Sequence, residues 1–334
     1  MHDKVNIAVV GCGYWGPNLV RNFSALPNCC VPIVCDKKTA RLEFIKNEFP
    51  NIATTLNYQE IIQNNQIDAV CIATPVKTHA ELAISALRSG KHVFLEKPLA
   101  ASLQEAEEII SIAAENSLKV AVGHVFQFAP AVRKIRELIM GGAIGDLYHI
   151  SSMRINLGPP NTDIDVIWDL GPHDFSIILY LLNEYPEKVV AVNNHYPFGF
   201  LRDGPDKLIN NSHIDLFFRS GISAHVHLSW LSSVKVRLMY LFGSEGTIIY
   251  DEMLALDGKV KIVGTGKDNR TTLSSNKLGY ATGDIHIIEL EQHEPLRKEC
   301  EHFIDSILYN RDLVNDVKNG FDVLKLIIDS HKIN

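Results

Sequence analysis

The sequence predicts an α/β domain built on a doubly wound parallel sheet, followed by a second domain of the α+β class. Up to about residue 124, short β-branched runs alternate with amphipathic helical segments, which is typical of a parallel sheet. A glycine-rich turn follows the first of these runs directly. Farther along the chain, longer alternating strands are joined by tight turns, which favours an antiparallel or mixed sheet with helices on one face.

The first domain is predicted over residues 1–124. Its apolar runs predict five buried strands: 5–10, 31–36, 69–74, 92–96 and 119–123. Amphipathic patterns predict helices near 15–25, 38–48, 57–65, 78–89 and 103–116. Ser102 and Glu105 form a capping-box signature, which marks the start of the last of these helices.

The second domain is predicted over residues 125–334. It begins with helices over 131–140 and 166–183 and ends with helices over 295–309 and 317–331. Between these pairs lie two predicted hairpins: 213–231, turning at Ser220-Gly221, and 236–253, turning at 243–246. The sequence has no internal repeat and no flexible linker at the boundary, so we expect the two domains to pack tightly.

Composition narrows the class of protein. The 334 residues are 46% hydrophobic and 21% charged, as in ordinary globular proteins. A net charge of −7 and a pI near 6.0 give no electrostatic basis for binding nucleic acid or an anionic membrane. No apolar run reaches the roughly 20 residues of a membrane span, and no signal peptide is recognisable. Six cysteines lack metal or redox spacing, so we expect reduced, mostly buried thiols, no metal site and a cytoplasmic location.

A glycine-rich motif joins the first predicted strand to the first helix. In GCGYWG the motif glycines are Gly11, Gly13 and Gly16. Such glycines permit a tight turn and a close approach of backbone N–H groups to a pyrophosphate, which predicts a Rossmann dinucleotide site. Asp36 ends the second strand, where an acid accepts ribose hydroxyls and favours NAD over NADP. Asp36 alternatively caps the next helix, and three basic residues offer a site for a 2′-phosphate: Lys37, Lys38 and Arg41.

A lysine follows the fourth predicted strand. FLEKPL places Lys97 just beyond the carboxyl end of this strand, at the edge where doubly wound sheets bind ligands. A lysine at that edge donates to a substrate oxygen, and Pro98 restricts the turn that directs it. On this segment alone, a solvated loop lysine is the alternative.

The helix over 166–183 begins with an acid and an imidazole. Asp169 and His173 are four residues apart and therefore share one face of the helix. A carboxylate beside an imidazole suits a general base that acts near neutral pH. We expect Asp169 to cap the helix and Pro172 to be tolerated within its first turn. The alternative is a structural cap with a buried core histidine.

Together, these segments resemble the glucose–fructose oxidoreductase / inositol dehydrogenase family (Gfo/Idh/MocA). The resemblance covers nearly the whole chain and lies in GCGYWG, Asp36, IATPVKTHA, FLEKPL, VGHVFQFAP, WDLGPHD and GSEGTI. It implies a Rossmann domain and a C-terminal domain with an open, mostly antiparallel sheet through which the chain forms homodimers or homotetramers. It also implies catalytic roles for Lys97, Asp169 and His173. In this mechanism, His173 removes a hydroxyl proton, Asp169 holds His173, and Lys97 stabilises the alkoxide.

The resemblance further implies which residues bind cofactor and substrate. NAD, with NADP as the less favoured cofactor, would contact Gly11, Gly13, Tyr14, Trp15, Gly16, Asp36, Thr74, Pro75, His79 and Glu96. A small-molecule sugar or sugar nucleotide would contact His124, Phe126, Gln127, Arg154, Asn156 and Trp168. Many relatives carry an arginine in the segment that here contains Phe126 and Gln127, so their substrate pockets do not transfer to this chain.

The MRINLGPP and WDLGPHD segments look closer to enzymes of surface polysaccharide pathways that act on nucleotide-linked sugars. The expected reaction is therefore NAD-dependent oxidation at carbon 3 of a UDP-linked N-acetylhexosamine or its uronate. Arg154 would pair with the diphosphate or the uronate, or it makes a structural ion pair instead. The alternatives are an NADPH-dependent 3-keto-sugar-nucleotide reductase, an inositol or free-sugar dehydrogenase, and a non-catalytic NAD-binding sensor.

Overall fold

A computed structural model describes residues 4–158, 164–197, 208–265 and 283–332. The chain divides into two compact units. The first contains the residues up to Phe128 together with His293–Lys325, and the second contains Ala129–Gln292 together with the residues from Leu326 onward. The first unit thus includes a late segment of the chain, which differs from the predicted division at residue 124.

The first unit is built on a parallel sheet, which confirms the predicted doubly wound class. Its strands are β1 (Val5–Val10), β2 (Cys29–Cys30), β3 (Ile33–Cys35), β4 (Ala53–Thr55), β5 (Ala69–Ile72), β6 (His92–Leu95) and β7 (Val120–Val122). The order is β4-β3-β1-β5-β6-β7, and β2 pairs with the start of β1. Strand order reverses at β1, so the crevice beside its carboxyl end is the expected ligand site.

The helices of the first unit fall close to the predicted positions. They are α1 (Gly16–Ser24), α2 (Thr39–Glu48), α3 (Tyr58–Ile62), α4 (His79–Arg88), α5 (Leu103–Glu115) and α8 (Pro295–Leu308). Ser102 and Glu105 form the predicted capping box at α5. Helix α8 joins this unit because Phe303 packs edge-on against Phe94 and lies near Phe23, with ring centroids 5.6 and 6.5 Å away. Aromatic burial of this kind depends on spatial partners that hydrophobic periodicity does not identify.

The second unit contains a mostly antiparallel sheet, as predicted. Its strands are β8 (Leu147–Leu157), β9 (Lys188–Asn194), β10 (Asn211–Phe217), β11 (Ser223–Ser229), β12 (Leu231–Gly243), β13 (Gly246–Asp251), β14 (Val260–Gly264) and β15 (Ile285–Ile287). The order is β15-β14-β13-β12-β8-β11-β10-β9, in which only β8 and β11 are parallel. Both predicted hairpins are present, as β10–β11 and β12–β13.

Helices α6 (Pro130–Met140) and α7 (Val166–Leu182) belong to the second unit. Helix α7 packs against β8, β10 and β11, and its apolar body is buried because Phe175, Ile177 and Ile178 have no exposed surface. The last helix, α9 (Val317–Asp329), runs from the first unit into the second.

Three further observations concern membrane spans, cysteines and metal sites. No described helix is long and apolar enough to cross a membrane. All six cysteines are free thiols; five of them are buried, and Cys30 is exposed. Within the described ranges, no group of three or more His, Cys, Asp and Glu residues is arranged to hold a metal ion.

Candidate active site

The glycine motif forms the turn between β1 and α1. Gly11 has a φ of +95°, and a side chain there would approach the Ala73 carbonyl oxygen to 2.5 Å. A Cβ on Gly16 would lie 2.1 Å from the Gly11 carbonyl oxygen. By contrast, the space above Gly13 is open, since the nearest atom to a Cβ there is Arg41 Nη1 at 3.9 Å. The first and third glycines are therefore required by the fold, whereas the second leaves room for a ligand.

Asp36 connects this turn to the end of β3. Its Oδ2 accepts the backbone N–H of Cys12 at 2.7 Å, and its Oδ1 accepts that of Lys38 at 2.8 Å. Helix α2 starts after Lys38 without a side-chain cap, so the alternative in which Asp36 caps α2 is wrong. The Arg41 guanidinium lies 3.3 Å from Asp36 Oδ2 and is half-exposed. A carboxylate offers about four acceptor positions, so Asp36 retains capacity for ribose hydroxyls.

The turn after β5 is held by a buried imidazole. His79 is 1% exposed, and its ring nitrogens lie 2.8 Å from the carbonyl oxygens of Thr74 and Pro98. Thr78 Oγ1 donates to Pro75 O at 2.8 Å. Burial lowers the pKa of His79, and its contacts with the Thr74 and Pro98 carbonyls act in the opposite direction. His79, predicted as a cofactor ligand, thus links the Thr74 turn to the loop that contains Lys97.

Lys97 lies at the carboxyl end of β6, as predicted. Its backbone N–H donates to Glu96 Oε2 at 3.3 Å, and the following peptide bond to Pro98 is cis. Burial raises the pKa of Glu96 to about 7, although the positive charge of Lys97 acts in the opposite direction. Burial, together with the charge of Lys97, lowers the pKa of His124 to about 3. Lys97 therefore lies near a titrating carboxyl and a neutral imidazole.

These features fit a dinucleotide. The open space at Gly13 and the N-terminus of α1 suit a pyrophosphate, and Asp36 suits the adenosine ribose. Tyr14 and Trp15 are 83% and 38% exposed, with rings in an edge-to-face arrangement beside the glycine turn. Bound NAD would supply the hydride acceptor at this edge of the sheet.

Helix α7 begins at Val166, as predicted, but its N-cap differs from the prediction. Asp165 is the N-cap, since its Oδ1 accepts the N–H groups of Ile167 and Trp168 at 3.0 and 3.1 Å. The prediction that Asp169 caps the helix is therefore wrong, and Asp169 lies in the first turn. Pro172 consequently lies inside the helix rather than in its first turn. Asp165 and Asp169 are both acids near the start of α7, so the sequence pattern alone does not identify the N-cap.

Asp169 has a partner that the sequence did not reveal. The indole N–H of Trp230 donates to Asp169 Oδ2 at 3.2 Å. Trp230 is fully buried between β11 and β12, so this donor is fixed by the sheet. The His173 backbone carbonyl accepts the Ser176 hydroxyl at 2.9 Å. The sheet thus orients the acid of the Asp169–His173 pair.

Arg154 makes the structural ion pair that was the alternative to substrate binding. It is 4% exposed; its Nε lies 2.5 Å from Asp174 Oδ2, and its Nη2 lies 3.1 Å from Glu252 Oε2. Asp174 also accepts the Ser152 hydroxyl at 2.7 Å. Asn156 accepts a hydrogen bond from Arg237. Pro159 and Pro160, which complete the MRINLGPP motif, lie outside the described residues.

The remaining predicted substrate residues lie in both units. Phe126 and Gln127 belong to a 3₁₀ turn in the first unit, where Gln127 Nε2 donates to Asn319 Oδ1 at 2.8 Å. Trp168 lies in the first turn of α7, with its ring 6.3 Å from that of His331. Trp230 and Asp174 were missed because their partners are distant in sequence, and Asp165 was missed because Asp169 was predicted as the N-cap. The one local signal was the presence of three acids within ten residues, from Asp165 to Asp174, at the start of α7.

Comparison with known proteins identifies the class. The family model for Gfo/Idh/MocA oxidoreductases, described as an NAD-binding Rossmann fold, matches residues 5–124. The model for the C-terminal domain of the same family matches residues 132–249. The chain is thus an NAD-binding oxidoreductase. It belongs to the Gfo/Idh/MocA family.

Individual relatives are more distant. A scyllo-inositol 2-dehydrogenase (NAD⁺) of Bacillus subtilis is 26% identical over 92% of this chain and 87% of its own. A UDP-N-acetylglucosamine 3-dehydrogenase of Acidithiobacillus ferrooxidans is 30% identical over 55% of this chain and 56% of its own. An Agrobacterium radiobacter oxidoreductase, solved with NAD⁺, L-tartaric acid and magnesium, has a TM-score of 0.81 at 17% identity, covering 97% of this chain and 94% of that one. For several curated relatives, the chain spans only 40% to 59% of their length.

Proposed function

We propose that this protein is an NAD-dependent dehydrogenase that oxidises a secondary hydroxyl of a sugar or polyol. The observation that carries the proposal is Lys97 at the carboxyl edge of the parallel sheet, the same edge at which the glycine turn follows β1 and Asp36 follows β3. A non-catalytic NAD sensor needs the glycine turn, but it has no need of a lysine there or of an acid and an imidazole at the start of α7.

In the proposed mechanism, three side chains either transfer a proton or stabilise a charge. NAD supplies the hydride acceptor when bound. His173 removes the proton of the hydroxyl that is oxidised. Asp169, oriented by the Trp230 indole at 3.2 Å, holds the imidazole and stabilises its charged form. Lys97 stabilises the negative charge that develops on the substrate oxygen.

We propose a UDP-linked N-acetylhexosamine or its uronate, oxidised at carbon 3, as the first candidate substrate. Support comes from the 30% identity to a UDP-N-acetylglucosamine 3-dehydrogenase. Arg154 no longer supports this substrate, because two carboxylates already hold its guanidinium.

A cyclic polyol such as scyllo-inositol is the second candidate. It is favoured by the B. subtilis scyllo-inositol dehydrogenase, which aligns over 92% of this chain. A 3-keto-sugar reductase that prefers NADPH is a further alternative, and cofactor preference separates it from the other two.

The test is NADH formation, followed by absorbance, with UDP-N-acetylglucosamine, its uronate, scyllo-inositol, myo-inositol and glucose. The first candidate predicts turnover with a sugar nucleotide and little with free sugars or inositols. Turnover only with an inositol would replace the first candidate by the second. Lys97→Ala serves as the matched inactive control for each active substrate.

We propose further that the chain self-associates through the outer face of the β8–β15 sheet. This face carries four exposed apolar side chains: Met153, Val192, Phe217 and Phe242. Polar residues lie between them in the sheet register, and apolar groups exposed within a mixed surface are available to a protein interface. Sedimentation of Phe242→Asp beside the unchanged protein tests the proposal. A smaller assembly is expected for the variant, and a wild-type monomer at all concentrations would contradict it.

A further inference from the structure

Two buried side chains near the carboxyl edge of the parallel sheet have incomplete hydrogen bonding. Glu299 on α8 and Asn315 ahead of α9 are each 1% exposed. Asn315 Nδ2 donates to Glu299 Oε1 at 3.0 Å and to the Val122 carbonyl oxygen at 2.7 Å. In the described part of the chain, Glu299 Oε2 and Asn315 Oδ1 have no hydrogen-bond partner.

The orientation of the Asn315 amide is determined by its neighbours. The Val122 carbonyl is an acceptor only, so the amide nitrogen must face it, and the second N–H of that nitrogen reaches Glu299 Oε1. Reversing the amide would direct its oxygen at two acceptors. Asn315 Oδ1 is therefore an acceptor that requires a donor, and leaving it without one costs free energy.

A proton on Glu299 resolves both unsatisfied atoms. An ionised carboxylate has acceptors only, whereas a carboxylic acid has one O–H donor. The acid form gives Glu299 Oε2 a hydrogen to donate on the same carboxyl whose Oε1 already binds the Asn315 amide. An acid has the donor that the Asn315 Oδ1 acceptor requires, and the Glu299 carboxyl then carries no buried charge.

The surrounding charges favour the same protonation state. Burial, and then the charge of Glu96, raise the pKa of Glu299 well above its ordinary value, and they outweigh the hydrogen bond from Asn315, which lowers it. The thiols of Cys71 on β5 and Cys300 on α8 also face these carboxyls, and burial raises the pKa of both, so they stay neutral. Lys97 is the cation whose charge acts on Glu96. His124 stays neutral because burial lowers its pKa.

We propose that Glu299 is a carboxylic acid at neutral pH, held by its hydrogen bonds to Asn315, and that Glu96, beside Lys97, is therefore the one carboxyl of the two that ionises near neutral pH. Glu96 is thereby a positioning residue that sets the charge around Lys97. Its effect on turnover rests on the proposed function, whereas the protonation of Glu299 does not.

Infrared spectroscopy of the cofactor-free protein tests the protonation directly. At about pH 8, above the pKa of Glu96, a C=O stretching band of a buried carboxylic acid is expected. Glu299→Gln should lose this band yet stay folded, since a glutamine preserves both hydrogen bonds to Asn315. Glu96→Gln should keep the band. If the wild-type protein lacks the band, or Glu299→Gln retains it, Glu299 is ionised and the proposal is wrong.

Acidification tests the role of Glu96. As the pH falls through about 7, the wild-type protein should gain a second carboxylic acid band, and Glu96→Gln should not. The kcat profile of Glu96→Gln should lose the change near this pH that the wild-type profile shows. An unchanged kcat profile with the expected bands would reject the role of Glu96 at Lys97 and keep the acid form of Glu299. An active Lys97→Ala variant would instead reject the proposed function.

Discussion

At the scale of single residues, Asp36 is the proposed determinant of the preference for NAD over NADP. It holds the backbone of Cys12 and Lys38, so its carboxylate is fixed where ribose hydroxyls would bind. Asp36→Ala should weaken NAD binding and narrow its advantage over NADP, because the charge that repels a 2′-phosphate is lost. Titration of both cofactors by fluorescence measures the ratio.

Arg41→Ala is the matched control for Asp36→Ala. Its guanidinium lies 3.3 Å from Asp36, so its loss should reduce NADP binding more than NAD binding. Equal affinities for both cofactors in the unchanged protein would show that the basic residues after Asp36 outweigh the acid.

The second prediction concerns the turnover of variants at the proposed catalytic residues. Lys97→Ala and His173→Ala should each lower kcat by about 10²–10⁴ with NAD binding retained, which is the usual effect of removing a positioned acid or base. Trp230→Phe is a milder test, since it removes only the N–H that binds Asp169. Near-full turnover of Lys97→Ala or His173→Ala on the true substrate would show that the site is misassigned.

Site residues that follow a strand could be predicted from the sequence, whereas residues with partners distant in the chain could not. Gly11, Asp36 and Lys97 follow strands at fixed offsets, so their positions are predictable from local pattern. Trp230 reaches Asp169 across 61 positions of the chain, and no periodicity encodes that distance. Glu299 and Asn315 become recognisable as a pair only when α8 packs into the first unit.

At the scale of elements, the start of α7 is held by an acid and a second imidazole. Asp165 Oδ2 lies 2.6 Å from His331 Nε2, while its other oxygen caps the helix. Burial alone would lower the pKa of His331, but the hydrogen bond and charge of Asp165 outweigh it and raise the pKa above 6.5. The folded protein therefore binds this proton more tightly than the unfolded chain does.

The third prediction follows from this linkage. The contribution of His331 to the free energy of unfolding is fully present below pH 6.5 and is lost as the pH rises through the raised pKa of the folded state. His331→Gln should remove this part of the pH dependence. Urea unfolding at several pH values measures it, and parallel profiles for the two proteins would contradict the linkage.

The fourth prediction concerns the link between β8 and α7. Arg154→Met leaves Asp174 buried without its cation, so the unfolding free energy should fall by about 3–5 kcal/mol. Arg154→Met with Asp174→Asn removes the stranded charge and should recover part of the loss. Chemical denaturation measures both. A loss below about 1 kcal/mol in the single variant would show that water reaches Asp174.

Strands were predicted correctly from the sequence where a single hydrophobic pattern runs through the whole segment. The run of β5 is uniformly apolar, and β1 and β6 carry one polar residue each. In the two hairpins, buried and more exposed positions alternate along the strands. The N-cap of α7 was assigned to the wrong acid because Asp165 and Asp169 both lie close to the start of the helix. Only the geometry at Ile167 and Trp168 distinguishes them.

At the scale of the whole molecule, the chain order and the spatial order of the first unit differ. Its sheet is complete by Val122, yet α8 is contributed by residues after the second sheet. Sequence pattern places strands and helices in order along the chain, and therefore assigned α8 to the second domain. Packing of Leu296, Cys300 and Phe303 against Phe23 and Phe94 decides otherwise.

The late position of α8 has a consequence for biosynthesis. While the ribosome synthesises the second sheet, Phe23 and Phe94 of the nascent first unit lack their packing partners on α8. At a synthesis rate of roughly 5–20 residues per second, this interval lasts on the order of ten seconds or more. Chaperones that bind apolar nascent chains are therefore expected to engage this protein before Phe303 emerges. A gene truncated after Phe128 should yield an aggregating product, while supplying 293–325 through a short linker should restore solubility.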